Sequence, residues 1–358
     1  MVPPRADRSG RRARLTVGAA VAVVIGIAAG APVSTAAEVP APKTLCTVDD
    51  PRLPELSGLA SNGRELFAVN DGGTQVEVMV LDRECTVQRT ITASIDPYDV
   101  EDLALDANGV LWLSDTGDNG KARETVALIA VRPDGSASLH RLTYPDGQHD
   151  AEALLLDRRG TPYVVTKSVL GRSAVYRPAE RLRTPGPTPL EKVATVSFAV
   201  TGTPGGPDQV GPIGSMLVTG GAVSRDGTVV ALRTYTDAYL FPAPDGNVVA
   251  ALKREPVRVP LPGEPQGEAI AFDPDGTLLA AGEGVGQPIR AVRKAAALVD
   301  AATSTQDGSS SGKAGNSDAP SESSSGDQQR SRLPALVVAT LTAVVLWFGL
   351  GKLRRRRR

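Results

Sequence analysis

Three glutamates open similar apolar segments: Glu101 in EDLALDANGVLWLSD, Glu152 in EALLLDRRGTPYVVTK and Glu268 in EAIAFDPDGTLLAAGE. Carboxylates of this kind serve as general acids or bases, or as ligands for hard cations. Three brought together would repel and raise one another's pKa, and a bound cation is the natural compensation. For an all-oxygen donor set outside the cytoplasm the expected ion is Ca2+. Glu101, Glu152 and Glu268 are therefore the candidate metal ligands. Asp71, Asp115, Lys167, Arg233 and Glu283 stand where the second half of each segment ends, and Tyr235 follows Arg233 at a spacing of two. These six are candidate ligand-binding residues. The residues alone leave an alternative open, in which the glutamates are solvated or accept backbone N–H bonds, with Lys167 and Arg233 paired to them.

Other chemistries are excluded by what is missing. Asp115-Thr116-Gly117 matches the aspartic-protease tripeptide, but that reaction needs two carboxylates sharing a proton, and the tripeptide occurs once. The run DTGDNG lacks the alternating acids and terminal glutamate of an EF-hand. No Gly-x-Ser-x-Gly elbow occurs in the hairpin-bearing part of the chain. Two cysteines and two histidines do not by themselves make a zinc site, and a net charge of −1 gives no case for nucleic acid.

The elements that position these residues are repeated hairpins. Each segment is an apolar run, a Gly-containing turn and a second apolar run, which is a β-hairpin pattern. Two looser copies are SGLASNGRELFAVND and GAVSRDGTVVALRT, so the starts fall at 57, 101, 152, 221 and 268. Repeats spaced by 44 to 69 residues point to propeller blades. The leading column reads Ser57, Glu101, Glu152, Gly221 and Glu268, and in a propeller it would line the central channel. About twenty strands are predicted, which makes an all-β, five-bladed β-propeller over residues 43–295, with six blades as the alternative. The last copy is one strand short, so KTLCTV at the start is predicted to complete the final blade and remove a free sheet edge. Cys46 on that strand and Cys85 are predicted to form a disulfide across 39 residues, worth about 3–4 kcal/mol by chain entropy. The Gly/Pro-rich stretch TGTPGGPDQVGPIG is too long for an ordinary connection.

The ends predict export and tethering. Five arginines before an apolar stretch and the small residues STAAE make residues 1–37 a signal peptide, with general secretion favoured over the twin-arginine route. Residues 296–331 are rich in Ser and Gly and read as a disordered stalk. Residues 333–351 hold an uncharged run of 17, Leu333 to Gly349, spanning about 26 Å as a transmembrane helix. Residues 352–358 are an arginine-rich cytoplasmic tail under the positive-inside rule. The expected location is the cell membrane, single-pass, with the N-terminal domain outside. The partners expected are the membrane itself and an unidentified small-molecule or surface ligand.

The stretches DVEDLAL…LWLSDTGDN, HDAEALLL, VTGGAVSRDGTVVALRTYTDAYL and QGEAIAF resemble the phytase-like ("esterase-like activity of phytase") β-propellers, in particular uncharacterised exported actinobacterial members. The resemblance spans about residues 53–292 and implies a propeller. Propellers of this kind that hydrolyse phytate hold several calcium ions and grip the substrate with a ring of Lys, Arg and Tyr. This chain offers mainly Lys167 and Arg233 as cations. Two functions follow as expectations: ligand binding at an acidic, cation-loaded channel mouth, and metal-dependent hydrolysis of a phosphoester or ester.

Overall fold

The computed structural model describes Met1 and residues 39–300. The predicted signal peptide, most of the stalk, the transmembrane helix and the arginine tail lie outside the described residues. Among the described residues no helix is long and apolar enough to cross a membrane.

The chain is a succession of antiparallel four-strand meanders. One sheet holds β2 (Leu56–Ser61), β3 (Leu66–Asn70), β4 (Val76–Leu81) and β5 (Val87–Ala93) in chain order. The next meander is β6 (Val100–Leu105), β7 (Leu111–Asp115), β8 (Val126–Val131) and β9 (Ala137–Thr143). It is followed by β10 (Ala151–Leu156), β11 (Pro162–Thr166), β12 (Arg172–Pro178) and β13 (Thr188–Ser197). These two join into one eight-stranded sheet, because Thr188 and Pro189 of β13 pair in parallel with Leu142 and Thr143 of β9. A further sheet holds β14 (Val218–Val223), β15 (Val229–Thr234), β16 (Asp237–Pro242) and β17 (Val257–Pro260). The last combines β18 (Gly267–Phe272), β19 (Leu278–Gly282) and β20 (Gln287–Val292) with the N-terminal β1 (Lys43–Val48), which pairs antiparallel with β20. Among the described residues the helical content is small: a 3-10 turn at Gly211–Met216, α1 (Val248–Ala251) and a helical stretch over residues 295–300.

The first hairpin of each meander turns for a common reason. Gly109, Gly160, Gly227 and Gly276 end four of the turns at φ between 71° and 80°, where a side chain would be strained. Asp106 and Asp157 hold their turns by accepting two backbone N–H bonds each, from Asn108 and Val110 and from Arg159 and Thr161.

Apolar faces of neighbouring sheets bury one another. Leu155 and Val165 pack in one cluster with Val230 and Leu232, and Val69 and Val78 pack with Leu103 and Leu113. The first strands meet in a closed cycle: β2 against β6, β6 against β10, β10 against β14, β14 against β18, and β18 against β2. Meanders arranged radially about such a cycle make a β-propeller, with the first strands lining its channel.

The predicted closure is present. β1 completes the last sheet, and Cys46 on it is disulfide-bonded to Cys85 in the turn after β4, tying the last sheet to the first. The Gly/Pro-rich stretch is held down rather than loose. Thr201 and Thr203 donate to the buried Asp237 at 2.7 Å each, and Thr236 and Arg258 bond the same carboxylate. Packing also runs past the expected start of the stalk, since Val299 is buried in the core beside Ala295.

Candidate functional site

Every first strand carries a β-bulge at the same place. The register slips between residues 56 and 58, 100 and 102, 151 and 153, 218 and 220, and 267 and 269. The extra residues are Ser57, Glu101, Glu152, Thr219 and Glu268. A bulge leaves one residue out of the ladder and re-aims its side chain, which is why bulges recur beside functional sites. The fourth member of the leading column is therefore Thr219 and not Gly221, which is paired with Leu232 in the regular ladder. Ser57 and Thr219 use their hydroxyls to bond the next first strand, at Val100 and Gly267. The three glutamates occupy the same position and are all buried.

Two carboxylate triads form there. One oxygen from each of Asp71, Asp99 and Glu101 lies within 4.8 Å of the others, and the same holds for Glu101, Asp150 and Glu152. Glu101 belongs to both. Oxygens around one calcium ion at 2.3–2.6 Å stand at most about 5 Å apart, so each triad has the right size. An all-carboxylate donor set favours a hard cation over zinc or copper. Space for the first triad comes from Gly117: a Cβ there would collide with the carboxylates of both Glu101 and Asp99. Burial pushes the Glu152 carboxyl well above the usual range, and Glu101 beside it adds to the shift against the pull of Lys167. Glu268 belongs to neither triad, although its charge contributes to the same upward shift.

The predicted ligand-binding residues separate into distinct environments. Asp71 joins a triad. Lys167 stays at the mouth, with Nζ 3.1 Å from Glu152 and 5.1 Å from the centre of the Tyr235 ring. Burial pulls the Lys167 ammonium down, but Glu152, Tyr235, Glu268 and Asp150 together more than offset this and its pKa ends well above the ordinary value. Tyr235 is almost fully buried, and burial raises its phenol. Asp115 accepts the backbone N–H groups of Tyr98 and Asp99 and pairs with Arg123 at 3.1 Å, so it shapes the loop that carries Asp99. Glu283 sits apart, on an open cleft of about 520 Å³ beside Glu55 and the 206–209 stretch.

Arg233 corrects the sequence expectation. It has no exposed surface, and its guanidinium donates to the carbonyls of Thr234, Tyr235, Ala269 and Ala281 and to Glu264 at 2.7 Å. The guanidinium fills the place of a side chain at Gly267, so it clamps β15 to β18 and β19 and has no donor left for a ligand. Sequence reasoning missed Asp99, Asp150 and Asp102. The first two had a signal in Asp99-Val100-Glu101 and Asp150-Ala151-Glu152, a repeated Asp-x-Glu whose spacing of two fits one side of a strand. Asp102 is fully buried one step deeper. Its carboxylate accepts N–H bonds from Leu103, from Leu154 of β10 at 2.7 Å and from Gly221 of β14 at 3.0 Å. Burial raises its pKa well above the ordinary value against the pull of those three bonds.

No family model matches the sequence, and no curated protein matches it. Solved structures resemble it at low identity. A PQQ-bound aldose sugar dehydrogenase from Streptomyces coelicolor aligns at 12% identity and TM-score 0.39, over 71% of this chain and 99% of that one. A gluconolactonase from Xanthomonas campestris aligns at 14% and 0.37, over 73% and 99%. A virginiamycin B lyase from Staphylococcus aureus aligns at 9% and 0.34, over 67% of this chain and 66% of that one.

Proposed function

We propose that the chain is a membrane-anchored, extracytoplasmic, five-bladed propeller that holds calcium at its acidic channel mouth and binds a ligand there. The observation that carries this is the pair of carboxylate triads sharing Glu101. Asp71, Asp99, Glu101, Asp150 and Glu152 would hold the metal. A bound divalent cation supplies a Lewis acid that polarises a ligand oxygen. Lys167, seated between Glu152 and Tyr235, would steer an anionic group of the ligand toward that wall. The blade count is supported by the five equivalent bulged strands, and the phytase-like relationship by the sequence stretches that carry those bulges.

The second reading is a metal-dependent phosphoester or ester hydrolase, favoured by a lysine next to the triads. With Arg233 withdrawn into a clamp, the mouth lacks the cation ring that a highly phosphorylated substrate needs. Thermal melting with and without calcium tests the binding claim. Calcium raises the Tm of the wild type and leaves a D99N/E101Q/E152Q variant unchanged; equal responses, or none, refute it. Turnover of a panel of phosphomonoesters and carboxylic esters by the calcium-loaded protein would move the conclusion to the second reading.

A further inference from the structure

The channel has a second mouth, at the far ends of the same first strands. A cavity of about 360 Å³ opens there, walled by residues of all five first strands and rimmed by the hairpin turns that follow. This volume falls within the range of small-molecule sites. Its throat offers partly exposed apolar side chains, Ala104, Leu105, Ala222 and Val223, and three arginines stand at its rim: Arg158, Arg159 and Arg225. Among the described residues none of the three is in an ion pair. Asp106 and Asp157 also line the cavity, but each spends a carboxylate oxygen on two backbone N–H groups of its own turn. The Arg158 stem lies against Gly227, where a Cβ would displace it, so one rim guanidinium is placed by packing between two meanders. Asp102 bonds β10 and β14 between this cavity and the carboxylate triads, and no triad residue lines the cavity.

We infer that this cavity is a binding site for a small organic anion with an apolar body, held by its tail in the throat and by its charge at the arginine rim. Guanidinium groups suit phosphate and carboxylate because they offer paired donors in a plane. The site is independent of the acidic mouth and needs no metal.

Calorimetric titration of the purified chain in chelator tests it, with octyl phosphate, inorganic phosphate and octylamine as probes. Octyl phosphate binds, while inorganic phosphate (no tail) and octylamine (wrong charge) bind at least about tenfold more weakly. The R159E/R225E variant, which alters exposed side chains only, weakens octyl phosphate by about tenfold or more. D99N/E101Q/E152Q binds it like wild type, which separates this site from the acidic one. In the wild type, added salt weakens octyl phosphate binding. Absence of octyl phosphate binding, equal binding of octylamine, undiminished binding by R159E/R225E, or salt-independent binding would overturn the inference.

Discussion

The two mouths of the channel are built on the same five strands and differ in sign. At one, the bulged residues, the loops before them and the loop after β3 place Asp71, Asp99, Glu101, Asp150 and Glu152 together, with Lys167 as a cation on the wall. At the other, the hairpin turns place Arg158, Arg159 and Arg225 around an apolar throat. Between them Asp102 ties the inner strands with bonds to Leu154 and Gly221. The contrast shows how a repeated unit acquires polarity. The strand start is free to vary because a bulge takes it out of the ladder. The turn is free to vary because only its Gly and its N–H-accepting residue are required. The strand middle is fixed by packing.

The largest effect expected from breaking this arrangement is at the clamp. Arg233→Met leaves Glu264 buried without its partner and should cost about 3–5 kcal/mol in denaturant unfolding. A loss under about 1 kcal/mol would show that the cation belongs to the mouth after all. Next is the divider. Asp102→Ala strands the N–H groups of Leu154 and Gly221 and should cost about 3 kcal/mol, since each unsatisfied buried donor costs about 1–3.

The acidic mouth can be isolated by pH. A carboxyl whose folded pKa is raised contributes stability that is fully present below its unfolded pKa and is lost as pH rises through the folded value. Glu152 is such a group. In chelator, Tm should therefore fall as pH rises above the ordinary glutamate range, and Glu152→Gln should flatten part of that fall. Asp102 has the same sign and contributes to the slope that remains. Saturating calcium should flatten the wild-type curve as well. A Tm that rises with pH in chelator contradicts the assignment. The smallest effects are expected at Ser57→Ala and Thr219→Ala, about 1 kcal/mol each for a lost hydrogen bond, with the calcium response intact.

Much of the frame was legible in the sequence because hairpin periodicity and turn glycines are local properties. Glu101, Glu152 and Glu268 could be aligned as the start of a repeat, and a closing strand could be inferred from a missing one. Thr219 escaped because Gly220 and Gly221 interrupt the apolar pattern and a bulge shifts the count by one. Arg233 was misread because an arginine at a strand end looks the same whether it faces solvent or fills the space left by Gly267. Glu268 shares the repeat position with Glu101 and Glu152 but lies in neither triad. Its strand follows Gln266, where β6 and β10 follow an aspartate two residues before the glutamate. The arginine-rimmed cavity left no pattern, since Arg158, Arg159 and Arg225 lie in turns whose convergence depends on the ring.

The most direct test of the acidic mouth is anomalous diffraction from crystals of the protein soaked in calcium. The account predicts a calcium peak coordinated by Glu101 together with Asp99 and Asp71, or with Asp150 and Glu152. A fully soaked crystal with no peak at Glu101, and Lys167 still bonded to Glu152, would contradict it.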